Sequence, residues 1–478
     1  MNRLGQFALA LVLTLISLQA SFSSRPWDTR SPIAWDVCTY YSYLPMGFVH
    51  HRYEKKVWNL EEDHKQIGYY TDSLPPKMTM GMAISWFPAF MVAHTTAESL
   101  GHKPDGISLP YKVAIHFSLY LYLFWGWWAL IGVWNGFRFG PAVQMTGAAL
   151  LLLGTNLLYY TADETALSHG LNFVLVSMLL HQSMRWWERL KTRHLYAIAA
   201  LLGYIVLIRP SNAIFAAIPL IMGLNYYPPA KLLTKIPLRP LLIAVVIGLL
   251  MLTPQLIFWK IFHGEWLVYS YGEEGFFWSD PQILNGLFSY RKGWFLYTPL
   301  GLFMLIGMVF FARKHPRMGV WLAVFIMLFI YVVFSWWCWW YGGSFGQRVM
   351  IDLYPVLSLG LLSLITWAFA RLFRAIVAVA VASIIICFSA LQTFQYRDGL
   401  IHNDGMSKCS YAAHFMQWKA PKQYWWHTLY MPDYEAAKKG KDVYPPETGW
   451  EEYCNDNILV QNNAVQQCCR LQRLYRKQ

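Results

Sequence analysis

The chain has 478 residues, of which 56% are hydrophobic and only 14% charged, and its formal net charge is +13. Soluble domains average about 25% charged residues, so the composition excludes a soluble globular protein and predicts an integral membrane protein. Much of the positive charge falls in short loops between apolar runs, where Lys and Arg act as orientation signals. We therefore expect membrane lipids, and no nucleic acid, among the partners.

The first apolar run, residues 4–22, follows Met1-Asn2-Arg3. It is similar to a signal peptide, but Leu18-Gln19-Ala20 is a poor small-x-small cleavage site. The run is about long enough to cross a bilayer. We predict that it is a retained signal anchor.

The apolar run 78–100 decides the topology. If it crosses the membrane, the basic segments 185–193, 231–239 and 313–317 lie outside. If it lies on the membrane surface, all three lie inside, as the positive-inside bias requires. We therefore predict that it does not cross.

These assignments predict an all-α polytopic membrane protein with about eleven transmembrane helices. A transmembrane domain covers 1–395, with 23–112 as a first extracytoplasmic loop that contains surface-lying helices. Residues 396–478 form a small extracytoplasmic C-terminal region. The predicted spans are 4–22, 113–134, 141–158, 170–187, 195–208, 211–225, 240–261, 296–312, 319–336, 349–370 and 375–394.

Cysteines are unevenly distributed, because four of the seven lie in the C-terminal region. Cys409, Cys454, Cys468 and Cys469 are compatible with disulfides in an oxidising compartment. Cys38 is a further candidate for a bridge. Cys338 and Cys387 have apolar neighbours in the sequence and are expected to be packed thiols.

Asp36 is the first candidate catalytic residue. It follows Trp35 and precedes Tyr40 and Tyr41 in the first outside loop, a partly desolvated setting that favours a general base. The alternative is a loop acid that caps a short interfacial helix. Tyr40 and Tyr41 are candidates for contacts with a sugar or acceptor.

The segment 159–169 carries Asp163, Glu164 and His169 at the next outer mouth. Adjacent acids point to different faces of a helix, so one of the two is expected to face the first loop. A helix start with acids near its positive end is the alternative explanation. His169, just inside the membrane edge, is a candidate acceptor- or sugar-binding residue, because intramembrane ionisable groups are usually functional.

Five basic residues lie at outer mouths: Lys77, Arg209, Arg291, Lys292 and Arg348. Orientation signals belong on the other side, so we expect an anionic ligand, which Arg binds bidentately and Lys as a point charge. Snorkelling toward lipid headgroups is the alternative.

Aromatic residues are dense in the segment 336–341, which contains Trp339 and Trp340. We expect these rings to hold a sugar or a prenyl chain, with an aromatic girdle as the alternative. The histidines His50, His51, His64 and His402 show no established metal-ligand spacing. The sequence therefore neither predicts nor excludes a divalent metal as a cofactor.

A resemblance follows from these motifs. An N-terminal span, an early acid in a long outside loop, Pro75-Pro76-Lys77-Met78 before a surface-lying stretch, and a second acid pair together resemble the GT-C glycosyltransferases. Within that superfamily the chain is most similar to the bacterial branch related to protein O-mannosyltransferases and lipid A aminoarabinose transferases. The resemblance implies a GT-C fold and a polyprenyl-phosphate sugar donor.

Residue by residue, the resemblance places Asp36 as the first-loop catalytic acid and Asp163 or Glu164 as the acid of the second outer loop. It places Lys77 near the lipid phosphate. Arg209, Arg291 and Arg348 lie in motifs similar to those of bacterial relatives, without an assigned role. The first loop lacks an Asp-Asp or Asp-Glu pair.

The leading hypothesis is therefore an inverting glycosyltransferase of the cytoplasmic (inner) membrane, with its active site facing the periplasm or exterior. A transporter or flippase of a lipid-linked or anionic substrate is the alternative from another class. It predicts charged residues at mid-membrane depth. A non-catalytic subunit of an envelope complex is a third interpretation.

Overall fold

The computed structural model describes residues 1–29, 31–49, 76–419 and 429–441. Within these ranges the chain forms α-helices and short 3-10 helices, and no strand. Six helical segments are long and apolar enough to cross a membrane: Arg3–Asp28, Leu109–Gly136, Leu238–His263, Pro316–Phe334, Arg348–Phe369 and Leu372–Arg397. The protein is a helical membrane protein, and the all-α prediction is confirmed.

The α-helices in chain order are α1 (Arg3–Ser24), α2 (Pro26–Thr29), α3 (Asp36–Tyr41), α4 (Tyr43–Phe48), α5 (Gly81–Thr96), α6 (Leu109–Ser118), α7 (Tyr120–Gly136), α8 (Pro141–Leu153), α9 (Leu157–Ala162), α10 (Ser168–Arg189), α11 (Thr192–Ile208), α12 (Ile218–Gly223), α13 (Pro229–Leu232), α14 (Leu238–His263), α15 (Ile283–Phe288), α16 (Trp294–Tyr297), α17 (Leu300–Lys314), α18 (Pro316–Phe334), α19 (Tyr354–Phe369), α20 (Leu372–Arg397), α21 (Lys408–His414) and α22 (Tyr434–Lys438). The 3-10 helices are Glu98–Leu100, Pro210–Ala217, Leu233–Lys235 and Arg348–Leu353.

The six candidate spans coincide with six of the eleven that the sequence predicts. The other five coincide with α8, α10, α11, the 3-10 helix Pro210–Ala217 with α12, and α17. These helices are shorter or less apolar than a typical span. The structure thus supports a membrane bundle and does not establish a count of eleven.

The bundle has two chemically different ends. At one end, the connections after α10, α12 and α17 lie close together. There His315 contacts Asn225 (2.8 Å), and Tyr226 contacts Glu188 (3.4 Å). These connections carry the basic segments, so we name this the basic end. The opposite end carries Asp36 and Arg209, and we name it the Asp36 end.

Helix α5 begins and ends at the Asp36 end. A Cβ on Gly81 would lie 2.7 Å from the backbone nitrogen of Ile208, at the C-terminus of α11. At the other end of α5, His94 hydrogen-bonds Tyr111 in the first turn of α6 (2.6 Å). Because both of its ends contact the same end of the bundle, this geometry supports a helix that does not cross the membrane.

A close helix contact positions the segment that carries Arg348. A Cβ on Gly307 of α17 would overlap the backbone carbonyl of Gly360 in α19. Only glycine allows two helix backbones to approach this closely. Since α19 follows directly from the 3-10 helix Arg348–Leu353, this contact fixes where that short helix lies.

The cysteine predictions have mixed outcomes. Cys409 is disulfide-bonded, as the oxidising-compartment prediction expects. Cys38 and Cys338 are buried free thiols, so Cys38 forms no bridge. Cys387 is exposed on α20, and its prediction as a packed thiol is wrong because its side of the helix faces away from the bundle. Cys454, Cys468 and Cys469 lie outside the described residues.

Topology can be tested by cysteine labelling in cells. In a Cys387→Ser background, we expect Lys103→Cys, on the exposed connection after α5, to react with an impermeant maleimide in intact cells. Lys191→Cys, at the basic end, is the matched control and should react only after lysis. Labelling of Lys103→Cys only after lysis would show that α5 crosses the membrane.

Candidate functional site

The side chain of Asp36 forms an ion pair with Arg348, 312 residues away in the chain. The Arg348 Nη2 donates to the Asp36 Oδ2 over 2.6 Å. Asp36 opens α3, and Arg348 opens the 3-10 helix before α19. The Asp36 side chain is 33% exposed and that of Arg348 only 10%, so the arginine orients a carboxylate that is still accessible.

Two more cations act on Asp36. Burial alone would raise the pKa of Asp36, but the charges of Arg348, Lys77 and Arg209 outweigh burial and hold the pKa below its ordinary value of 3.8. A carboxylate with this pKa is ionised at any physiological pH. The site therefore holds one accessible negative charge among three positive ones.

Arg209 belongs to a hydrogen-bonded chain that runs into the bundle. Its Nη1 lies 2.9 Å from His169 Nε2, and His169 Nδ1 lies 2.9 Å from Asp352 Oδ1. Because a guanidinium only donates, Nε2 must accept, and the imidazole proton is on Nδ1 and points to Asp352. Asp352 thus fixes the tautomer that presents an acceptor to Arg209.

Asp352 is fully buried and accepts hydrogen bonds from three side chains. Besides His169, these are Asn172 (3.1 Å) and Asn212 (2.8 Å), both at Oδ2. The carboxylate thereby ties α10 to the 3-10 helix that follows Arg209. Sequence reasoning missed Asp352, although a single acid in the apolar run 349–370 requires buried partners.

Lys77 lies on the outer side of the site. Its ammonium pairs with Glu274 (2.6 Å) and lies 5.6 Å from the ring centre of Tyr271. Ser270 donates to the Lys77 carbonyl over 2.7 Å, which joins this loop to the segment before α5. Glu274 and Tyr271 come from the loop after α14 and were not among the predicted residues.

Two bulky residues at the site have left-handed backbones. Trp35, directly before Asp36, has a φ of 50°, and Tyr341, whose ring lies 5.6 Å from the Arg209 guanidinium, has a φ of 59°. This region is unfavourable for a side chain with a Cβ, and such residues concentrate at functional sites. We refer to Asp36, Arg348, Lys77, Arg209, His169, Asp352, Tyr40, Tyr271 and Tyr341 as the Asp36 cluster.

Of the two predicted tyrosines, the structure brings only Tyr40 to the cluster. Tyr40 is buried within electrostatic reach of Arg209 and Asp36. Tyr41 instead donates to the Gly106 carbonyl and packs in the core against Trp86. Its prediction as a sugar-binding residue is not supported, because adjacent helical residues point in different directions.

Arg291 and Lys292 do not join the cluster as free cations. The Arg291 guanidinium lies 4.8 Å from the ring centre of Trp340 and 5.7 Å from those of Trp339 and Tyr430. Arg291 is only 1% exposed, so these cation–π contacts are buried. Trp339 and Trp340 therefore bind a protein cation, where the sequence predicted a sugar.

The Lys292 ammonium donates to the carbonyls of Ser344 and Asn403. Burial lowers the pKa of Lys292 to about 7, so this side chain is not a permanent positive charge near neutral pH. We conclude that Lys292 links two loops, and its predicted role in phosphate binding is not supported.

Asp163 and Glu164, the acid pair of the second outer loop, form hydrogen bonds with residues outside the Asp36 cluster. Asp163 accepts two hydrogen bonds from Arg397 at the end of α20 (2.9 and 2.5 Å). Glu164 accepts one from Tyr159 (3.0 Å) and lies within electrostatic reach of Arg348. The bidentate ion pair neutralises Asp163, so the catalytic role predicted for it is not supported, whereas Glu164 lies beside the cluster.

A metal site is not apparent in the part of the chain that the structure describes. There, no group of three or more His, Cys, Asp and Glu side chains is arranged to hold an ion. The predicted histidine His402 caps its own loop, accepting from the backbone of Asp404 and Gly405. His50, His51 and His64 lie outside the described residues.

Comparison with known proteins assigns no family. No protein-family model matches the chain, and no curated protein matches it. A functional assignment therefore has to rest on the geometry of the Asp36 cluster.

The buried carboxylate gives a testable stability prediction. Asp352→Asn places an amide nitrogen against the donors of Asn172 and Asn212. We expect a loss of about 2–3 kcal/mol, since a buried hydrogen-bonded charge is removed and donors are left unpaired. Thermal unfolding of the purified protein measures this.

Asp28→Asn is the control, because it removes only an exposed ion pair with Arg25, which typically contributes little. Equal melting temperatures for Asp352→Asn and wild type would contradict the role of Asp352 as an anchor.

Proposed function

We propose that this protein is an inverting glycosyltransferase that moves a sugar from a polyprenyl-phosphate donor to an acceptor outside the cytoplasmic membrane. The observation that carries the proposal is the accessible carboxylate of Asp36, held by Arg348 and flanked by Lys77 and Arg209. General base and phosphate ligands are the groups that such a reaction needs. They come from four separate segments of the chain, all at the Asp36 end.

In the proposed step, the acceptor hydroxyl attacks the anomeric carbon of the donor sugar. A new carbon–oxygen bond forms, the bond from that carbon to the phosphate oxygen breaks, and the leaving polyprenyl phosphate takes the electron pair. Asp36 accepts the hydroxyl proton. Arg209 and Lys77 stabilise the negative charge that develops on the phosphate.

The low pKa of Asp36 is compatible with this role. A weak base cannot remove a proton from a resting hydroxyl, but the hydroxyl becomes strongly acidic as its oxygen bonds to the anomeric carbon. A carboxylate that is always ionised accepts the proton at that moment, provided that it lies within hydrogen-bond reach. Arg348 supplies the positioning.

The orientation of the bundle supports a lipid-linked sugar donor. The basic end is expected in the cytoplasm by the positive-inside bias, which places the Asp36 cluster on the other side. Nucleotide sugars are not supplied on that side, so the sugar has to arrive attached to a lipid. A polyprenyl phosphate combines the required lipid with an anion that suits the three cations.

Transport is less well supported. Between their terminal turns, helices α11, α14, α17, α18, α19 and α20 carry no Asp, Glu, Lys or Arg, and α10 carries only Arg185, close to the basic end. A carrier of an anionic substrate is expected to hold charged groups at mid-membrane depth. The charges described here gather at one end, which favours chemistry at the membrane surface.

Asp36→Asn tests the proposal. We expect transfer from a polyprenyl-phosphate sugar to fall by about 10²–10⁴-fold per folded molecule, since the proton acceptor is removed. The donor to use is the lipid-linked sugar that mass spectrometry finds accumulated in a deletion strain. Turnover by the purified variant is compared with that of wild type.

Asp163→Asn is the matched control. It also converts an acid to an amide, but at the ion pair with Arg397, so we expect lower stability with nearly normal turnover per folded molecule. Full turnover in Asp36→Asn would exclude Asp36 as the base.

The pH profile is a second test. Because the pKa of Asp36 lies below 3.8, its carboxylate stays ionised as the pH falls and is protonated only below that value. We expect no loss of kcat/KM in mildly acidic buffer from this group. An acid limb near neutral pH that disappears in Asp36→Asn would show that its pKa is raised instead.

A further inference from the structure

Glu274 occupies the ammonium group that the proposed reaction assigns to the donor phosphate. The Lys77 Nζ donates to the Glu274 Oε1 over 2.6 Å. The Glu274 side chain is only 12% exposed, whereas that of Lys77 is 33% exposed. The carboxylate is therefore packed into the site, while the lysine stays accessible to a ligand.

The backbone on both sides of Glu274 is held in place. Before it, Ser270 donates to the Lys77 carbonyl over 2.7 Å. After it, the Trp337 N–H donates to the Gly275 carbonyl over 3.0 Å. Because the loop is attached at both points, Glu274 can leave Lys77 by rotation of its own side chain, without movement of the loop.

A second cation acts on Glu274. Lys438 of α22 interacts electrostatically with Glu274 and Glu273, and it pairs directly with Glu435 over 2.8 Å. Its ammonium lies 6.0 Å from the ring centre of Trp337, which places α22 beside the loop that carries Glu274. The Glu274 carboxylate thus has another positive charge to face after it leaves Lys77.

Each cation of the Asp36 cluster has a carboxylate near it, and these carboxylates belong to Asp36, Glu274 and Asp352. Asp36 is the proposed base and has to stay in place. Asp352 is fully buried and is bound by three side chains. Of the three, Glu274 is therefore the carboxylate that can give up its cation.

A phosphate bound to Lys77 would face the Glu274 carboxylate at close range. Two anions that both accept from one ammonium lie about 4–5 Å apart, where like charges repel strongly unless bulk water separates them. The donor phosphodiester carries one negative charge, and the leaving phosphomonoester carries nearly two at neutral pH. Lys77 therefore gains most by changing its partner as the phosphate leaves the sugar.

We propose that Glu274 competes with the phosphate for Lys77. The carboxylate holds the ammonium while the donor binds through Arg209, and Lys77 turns to the phosphate as its negative charge grows. When Glu274 returns to Lys77, binding of the product weakens and its release is favoured. The identification of the anion as a polyprenyl phosphate rests on the proposed function.

Binding of the product tests this competition without any sugar transfer. The purified protein in lipid nanodiscs is titrated with a polyprenyl monophosphate, and the bound ligand is counted by native mass spectrometry. We expect Glu274→Gln to bind about threefold to tenfold more tightly than wild type, the scale of a partly exposed ion pair. Glutamine keeps the shape of the side chain and an acceptor oxygen for Lys77, so the loop is preserved.

Glu273→Gln is the matched control, because it removes the same charge from the neighbouring, exposed residue. Its binding should equal that of wild type. In a Lys77→Gln background, Glu274→Gln should bring no further gain, since both side chains act on the same anion. If Glu274 only positioned Lys77, Glu274→Gln and Glu274→Ala would both bind more weakly than wild type.

Equal or weaker binding by Glu274→Gln, a gain that persists in the Lys77→Gln background, an equal gain in Glu273→Gln, or no binding to any form would overturn the competition. A protein that transfers sugar from a polyprenyl donor, but binds the monophosphate no more tightly as Glu274→Gln, would keep the proposed function and reject this role of Glu274. Tighter binding by Glu274→Gln in a protein that transfers no sugar from any polyprenyl donor would keep the competition and reject the proposed function.

Discussion

The arrangement of the site depends on the buried carboxylate of Asp352. An isolated charge at this depth is unfavourable, and its hydrogen bonds with His169, Asn172 and Asn212 offset that cost only when all three are in place. Helix α10 and the segment after Arg209 are therefore held in one relative position. Arg209 then has a single well-placed acceptor in His169, and its charge is directed toward Asp36.

A 3-10 helix connects this anchor to the catalytic candidate. Arg348 and Asp352 are four residues apart in the helix Arg348–Leu353. In an α-helix they would share a face, but with three residues per turn they point about 120° apart. Arg348 can thus reach Asp36 while Asp352 reaches into the bundle. The short helix couples the buried anchor to the accessible ion pair.

The sequence predicted which residue types form this site better than it predicted which individual residues belong to it. Position relative to the apolar runs singled out Asp36 and Tyr40, and the structure places both near Arg209. It could not separate Tyr40 from Tyr41, or show that Lys292 points to backbone carbonyls, because hydropathy reports depth and not direction around the bundle. Asp352 lies inside a predicted span. The only sequence signal for its role was that it is a single acid among apolar residues.

Charge pairing distinguishes the three cations of the site. Arg348 is paired with Asp36 and Lys77 with Glu274, so each already has an anionic partner in direct contact. Arg209 contacts the neutral imidazole of His169. The nearest carboxylate in this series of hydrogen bonds, that of Asp352, lies on the other side of the imidazole ring. An incoming phosphate therefore gains most from Arg209, since it need not displace a carboxylate there. In the proposed reaction, Arg209 is therefore the primary ligand of the donor phosphate, and Lys77 responds as the negative charge of the leaving phosphate grows.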